Sequence, residues 1–99
     1  MASQIEGHPK ALLEAMACGL TVIGVDAPGI RELIQHGENG WLCSANEDSL
    51  RAAIQELLAQ PQLRAELGCR ARKFVVENFA IAQVTQLELA VLKKVVGNL

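Results

Sequence analysis

Apolar residues in the first quarter of the chain follow a helical pattern and then a strand pattern. Residues 9–18 are rich in strong helix formers, and Pro9 and Gly19 suit the first turn and the left-handed end of a helix. Residues 21–25 are β-branched and apolar on both faces, which is typical of a buried parallel strand. The chain is therefore predicted to begin with a helix, followed by a strand.

The next segment predicts a short helix and a second strand joined by tight turns. Residues 26–29 form a predicted turn, and residues 30–35 a short helix. Glycine and asparagine within 36–40 favour a tight reversal, which leads into an apolar strand over 41–43. The inward side chains of the short helix are predicted to be Ile30, Leu33 and Ile34.

Three longer helices are predicted in the second half. Asn46 or Asp48 caps the first, Pro61 begins the second, and the third runs from about Ile81 to Val96. The first two each carry one apolar stripe at helical spacing: Leu50, Ala53, Ile54, Leu57 and Leu58, then Leu63, Leu67, Ala71, Phe74 and Val75. The last helix carries two rows and needs two surfaces to cover them: Val84, Leu87, Val91 and Val95, then Leu89, Leu92 and Val96.

This order of elements predicts an α/β fold that is part of a Rossmann-like domain. A helix between apolar strands is typical of a right-handed crossover in a parallel sheet. Only two strands are recognised, none of them ahead of the first helix, and two parallel strands do not form a stable covered sheet alone. We expect 1–78 to be the back half of a doubly wound domain with a short parallel sheet. We expect 79–99 to be a C-terminal helix that packs on a partner domain or subunit.

Composition and charge exclude several classes of function. The 99 residues are 51% apolar and 20% charged, as in one small globular domain. Residues 1–50 carry a net charge of −5 and residues 51–99 one of +3, with three aromatic residues in all, so nucleic-acid binding is not expected. Without an apolar run of 18 residues or a secretory pattern, we expect no membrane span and a cytoplasmic location. Cys18, Cys43 and Cys69 are expected to be reduced and to be small, buried apolar residues, since no metal-ligand spacing joins them.

Candidate chemistry surrounds the start of the first predicted helix. Glu6 is predicted in the loop before this helix and Glu14 on its second turn, with seven residues between them. Each carboxylate accepts two hydroxyl hydrogen bonds at once. Unpaired N–H groups in the first turn of a helix favour an anion such as a pyrophosphate. The donors expected to face such an anion are those of Lys10, Ala11 and Leu12. On spacing alone, two solvated glutamates explain the pattern better than a ligand site does.

The literal string narrows this choice. The motif E-x7-E lies in EGHPKALLEAMACGLTVIG, residues 6–24, and is followed by PGIRELI, residues 28–34, and GENGWL, residues 37–42. Over about residues 3–78 the chain resembles the family 4 retaining glycosyltransferases. Their GT-B architecture has two Rossmann-like domains across a cleft, and they transfer a sugar from a nucleotide-sugar without a metal. The resemblance implies a C-terminal donor-binding part that takes a UDP- or GDP-hexose, with no cofactor and no metal.

The resemblance also assigns roles to residues of the motif. Glu6 is the implied catalytic residue, which contacts hydroxyls of the donor sugar and positions the donor or stabilises charge. Glu14 is implied to bind the ribose hydroxyls, and the backbone from Gly7 to Lys10 to lie near the donor sugar and diphosphate. The implied donor-binding set is Glu6, Gly7, His8, Pro9, Lys10, Ala11, Leu12 and Glu14.

The same resemblance implies parts that are not found in this sequence. Members need an acceptor-binding domain, a strand leading to the first glutamate and basic diphosphate-binding residues, none of which is recognised ahead of Glu6. We therefore expect a truncated piece that is inactive alone. A complementing N-terminal glycosyltransferase chain or a homodimer is the expected partner, and peripheral membrane association is expected only through the missing domain. The alternative function is a non-catalytic, self-associating α/β module derived from a glycosyltransferase.

Overall fold

The computed structural model describes residues 3–97. The strands are Ser3–Glu6 (β1), Thr21–Val25 (β2) and Trp41–Cys43 (β3). The helices are Pro9–Ala17 (α1), Glu47–Leu58 (α2), Pro61–Asn78 (α3) and Ile81–Gly97 (α4). The first two residues, on which the prediction of no secretory signal partly rests, and the last two of the segment 79–99 lie outside the described residues.

Strand β1 corrects the sequence analysis, which recognised no strand ahead of α1 and placed Glu6 in a loop. Ser3–Glu6 pairs in parallel with β2, with Glu6 opposite Gly24. The strand contains a single apolar side chain, Ile5, which is 42% exposed. Four residues with one apolar position show no alternation, so pairing with β2 rather than local pattern makes this segment a strand.

The sheet has the order β1-β2-β3, and all pairs are parallel. Val22 and Ile23 in the central strand belong to separate clusters on the two faces of the sheet, since successive side chains of a strand point in opposite directions. Helices α1 and α4 cover the Val22 face, α2 covers the Ile23 face, and α3 contributes to both. The α/β fold with a short parallel sheet and flanking helices is thus confirmed; its elements form three layers, and the sheet has one strand more than predicted.

Most helix ends are where the sequence predicts them. Gly19 follows α1 with φ of 73°, the left-handed conformation that glycine adopts without strain. Asn46 caps α2, because its Oδ1 accepts a hydrogen bond from Ser49 N at 2.8 Å. Pro61 is the first residue of α3.

The short helix predicted over 30–35 is wrong. The segment forms successive turns, although Ile30 and Ile34 are buried as expected. Gln35 N donates to Asn39 Oδ1 at 2.8 Å, and the Asn39 side chain is buried. This side chain takes the place of the backbone acceptor that a continuing helix would supply, so the helical ladder ends after one turn.

Helix α4 packs on the same chain, against α1 and α3. Val84 is buried in the core beside α1, and Leu87 is half-buried. Of the same predicted row, Val91 is also half-buried, whereas Val95 is 57% exposed. The second predicted row faces solvent, with Leu89, Leu92 and Val96 exposed. Packing of α4 on a partner domain stays a prediction.

Two other expectations concern the membrane and the cysteines. Over residues 3–97, none of the helices has the length and apolar character needed to cross a bilayer.

The three cysteine thiols are free. Cys43 is buried as expected, whereas Cys18 and Cys69 are exposed, so the prediction that all three are buried is wrong for those two.

Candidate functional site

The candidate site lies where β1 ends and α1 begins. Glu6 is the last residue of β1 and is half-buried, and the exposed Gly7 and His8 link it to α1. Asp26 follows β2 in the same way and pairs with Arg31 at 3.0 Å. Because β1 and β2 are parallel, their carboxyl ends meet at one edge of the sheet, the edge at which open α/β sheets bind ligands.

The start of α1 is capped from within the chain. His8 Nδ1 accepts a hydrogen bond from Lys10 N at 3.2 Å, and Leu12 N donates to the His8 carbonyl at 3.0 Å. The prediction that these N–H groups have no helical partner is therefore wrong for Leu12, and the N–H group of Lys10 is occupied by the side chain of the capping residue. The positive end of the helix still points at this edge, and Pro9 and Lys10 are exposed beside it.

The loop after β2 supports this helix start. A Cβ atom on Gly29 would lie 2.9 Å from Pro9 Cγ, so the loop passes close to the first turn of α1. Gly29 has φ of 91° and its N–H donates to the Glu32 carboxylate. The Pro28–Gly29 turn therefore supports the first turn of α1, while Glu6 and His8 form the surface of the site.

Glu14 is placed differently from the other predicted residues. It lies on the second turn of α1 and is 4% exposed. Lys94 Nζ of α4 lies 3.1 Å from Glu14 Oε1 and 3.4 Å from Oε2. No local sequence pattern indicated Lys94 as a partner of Glu14, because the two residues are 80 positions apart in the chain.

The predicted donor-binding set thus divides by burial. Glu6, Gly7, His8, Pro9 and Lys10 are exposed or half-buried around the sheet edge. Ala11 is half-buried, and the Leu12 side chain is fully buried in the core, so only its backbone belongs to the helix start. Within residues 3–97, no cluster of three His, Cys, Asp or Glu side chains is arranged to hold a metal ion.

Comparison with known families identifies this arrangement. The family model described as glycosyl transferases group 1 matches residues 1–74. The chain belongs to this family. The three-stranded parallel sheet and its helices are part of the GT-B fold of this family.

Three similar proteins illustrate the family likeness. The chain is 46% identical over 79 residues to N-acetyl-alpha-D-glucosaminyl L-malate synthase of Bacillus anthracis, which is 78% of this chain and 20% of that protein. The structure of Anabaena HepE in complex with UDP matches with a TM-score of 0.71 at 27% identity, over 90% of this chain and 25% of that one. Sucrose-phosphate synthase from Thermosynechococcus elongatus matches with a TM-score of 0.68 at 27% identity, over 89% and 22%. The chain spans about a fifth to a quarter of the length of these three proteins.

Proposed function

We propose that the chain binds the nucleotide-sugar donor of a retaining glycosyltransferase that transfers a hexosyl group. The observation that carries the proposal is that Glu6, the Gly7–His8 loop and the start of α1 follow one another at the carboxyl edge of a parallel sheet. Membership in the glycosyl transferases group 1 family supports it. The likeness to HepE, whose structure contains UDP, supports a nucleoside diphosphate as the group recognised.

In this proposal each part of the motif contacts one part of the donor. Glu6 accepts hydrogen bonds from the sugar hydroxyls at the end of β1. The positive end of α1 and the exposed ammonium of Lys10 face the diphosphate, which needs no metal in this arrangement. The Glu14 carboxylate accepts hydrogen bonds from the ribose hydroxyls.

We further propose that these 99 residues do not transfer sugar by themselves. Stabilising a leaving diphosphate requires preorganised positive groups. Residues 1–50 contain two basic side chains, Lys10 and Arg31, and Arg31 is paired with Asp26. An acceptor-binding domain or a complementing chain would supply the remaining groups. Donor hydrolysis or sugar transfer that disappears on Glu6→Gln would contradict this proposal.

The test of donor binding is a titration of the 15N-labelled protein with UDP and with UDP-glucose, followed by NMR. We expect shifts in residues 6–14. Glu6→Gln should lower the affinity for UDP-glucose about tenfold more than the affinity for UDP, because a hydrogen bond to a charged group contributes roughly 1.5–3 kcal/mol. Lys10→Met should lower the affinity for both ligands by the same factor.

Glu38→Gln provides the matched control. It removes the same charge as Glu6→Gln from an exposed position in the turn between the 30–35 segment and β3, and neither affinity should change. An equal loss of affinity for UDP and for UDP-glucose in Glu6→Gln would contradict a contact between Glu6 and the sugar. The absence of shifts in residues 6–14 at millimolar UDP would contradict donor binding.

A second candidate function is self-association without a ligand. The exposed Leu89, Leu92 and Val96 on α4 favour it, since contiguous apolar side chains at a surface mark interaction sites. In this proposal a second copy covers the row across a two-fold axis. The two candidates differ in whether Glu6 contributes to binding.

A further inference from the structure

Helix α4 lies along the face of α1 that carries Lys10 and Glu14. Side chains of both helices line a groove of about 320 Å³ beside the first turn of α1, with Lys10 on one wall and Gln83 and Gln86 on the other. One turn further along α1, Lys94 reaches the Glu14 carboxylate. The predicted ribose-binding residue therefore lies beneath α4 and not at an open surface.

The geometry of the Glu14–Lys94 pair leaves little room for a ligand. The Glu14 side chain is 5% exposed, whereas the Lys94 side chain is 64% exposed. Both carboxylate oxygens lie within 3.4 Å of the same ammonium nitrogen. Two ribose hydroxyls that bind side by side need both oxygens to face open space. Lys94 and a ribose thus compete for one carboxylate.

The two halves of α4 are attached to the protein unequally. In the first half, Val84 is buried in the core, and Glu88 pairs with Arg72, which also donates to the Ala17 carbonyl at the end of α1. In the second half Val91 is half-buried, and the other large apolar side chains are exposed, from 46% at Leu89 to 57% at Val96. Moving the last turns away from α1 would therefore expose little apolar surface beyond that of Val91, while Val84 and Glu88 keep the first turns in place.

We propose that residues 89–97 of α4 close the Glu14 site, with the Lys94 ammonium in the position of the ribose hydroxyls of a nucleoside diphosphate. Nucleotide binds after Lys94 leaves Glu14, and α4 thereby lowers the affinity for the donor. This inference rests on the proposed function, because it takes Glu14 as the ribose-binding group. It adds a contact within the same chain that regulates access to that group.

The test compares the affinity for UDP of the protein with those of Lys94→Met and Lys93→Met. Methionine keeps the length and apolar stem of lysine but removes the ammonium. Lys93 is exposed on the same turn, so both variants change the net charge equally. We expect Lys94→Met to bind UDP about five- to tenfold more tightly, because a larger fraction of molecules is open, and Lys93→Met to match the unaltered protein.

The same substitution in a Glu14→Gln background shows whether the gain in affinity for UDP acts through Glu14. In Glu14→Gln, the substitution Lys94→Met should change the affinity for UDP less than twofold, since the ion pair is already lost. A gain of the same size in both backgrounds would overturn the inference. A loss of affinity in Lys94→Met would also overturn it, because the ammonium would then assist the diphosphate.

A measurement on the unaltered protein avoids any dependence on how the variants fold. Saturating UDP should accelerate amide hydrogen exchange in residues 89–97 and leave residues 81–88 unchanged. Slower exchange in 89–97 with UDP would overturn the inference. Equal, measurable affinities in all three proteins would overturn it while donor binding stands. No UDP binding in any protein, including Lys94→Met, would overturn donor binding together with this inference.

Discussion

At the residue scale, the surroundings of Cys18 connect three helices. Cys18 directly follows α1, and its thiol lines a groove with α4 side chains that include Glu88 and Leu92. Although the residue is exposed overall, partial burial of the thiol raises the pKa of Cys18, and the Glu88 carboxylate raises it further. Arg72 acts in the opposite direction. The thiol is therefore less ionised at neutral pH than an open cysteine and is a slower nucleophile.

This pKa shift predicts the effect of Glu88→Gln on alkylation. Removing the carboxylate lowers the pKa of Cys18, so more thiolate is present at a given pH and alkylation at pH 8 should accelerate roughly two- to threefold. The rate is measured with iodoacetamide in a Cys69→Ser background, because Cys69 is also exposed.

Glu77→Gln is the control for this experiment. It removes an equivalent carboxylate that pairs with Lys73 on α3, away from the Cys18 groove, and should leave the rate unchanged. Equal rates for Glu88→Gln and Glu77→Gln would show that α4 does not influence the thiol.

At the scale of elements, α3 is attached to the junction between α1 and β2 at three successive turns. Thr21 Oγ1 donates to the Arg64 carbonyl at 2.8 Å, and Arg72 donates to the Ala17 carbonyl. Between them, a Cβ atom on the buried Gly68 would lie 2.3 Å from the Gly19 carbonyl oxygen. The absence of a side chain at Gly68 thus sets how closely α3 approaches the sheet.

Gly68→Ala should therefore destabilise the protein, although alanine favours a helix by about 1 kcal/mol. The clash is with backbone, which does not move aside as a flexible side chain does, and we expect a loss of roughly 3 kcal/mol in the free energy of unfolding. Urea unfolding measures the change. Gly97→Ala on α4, where nothing lies within 4 Å of the added Cβ, should be close to neutral. Equal stability of both variants would contradict the close approach.

At the scale of the whole molecule, the distribution of apolar surface is uneven. Both faces of the sheet are covered, and the two clusters contain the fully buried large side chains. Exposed apolar side chains recur on α4, where Leu89, Leu92, Val95 and Val96 are each about half exposed. Small domains bury a limited share of their surface, so covering such a row adds a useful increment of stability.

If a second copy covers this row, the protein sediments as a concentration-dependent dimer at micromolar concentration. Leu92→Lys should shift it to a monomer, because a buried, unpaired ammonium opposes association. Leu58→Lys introduces the same charge at an apolar side chain of α2 that is 51% exposed, and should leave the dimer intact. A monomer at every concentration would contradict self-association.

The sequence by itself determined the features that depend on neighbours along the chain. Helices α1, α2, α3 and α4, strands β2 and β3, the left-handed turn at Gly19 and the cap at Asn46 all follow from propensity, periodicity and end signals within a few residues. The motif from Glu6 to Glu14 was also evident, because its residues are adjacent in sequence and its family likeness is local.

The tertiary structure decided the features that depend on distant partners. Ser3–Glu6 becomes a strand through pairing with β2, and the 30–35 helix is replaced by turns because the buried Asn39 side chain bonds Gln35. Glu14 is evident as a carboxylate in the sequence, but its burial and its pairing with Lys94 depend on where α4 docks. Such contacts arise from the packing of whole elements, whose energy is shared among residues far apart in the chain, and no local pattern contains it.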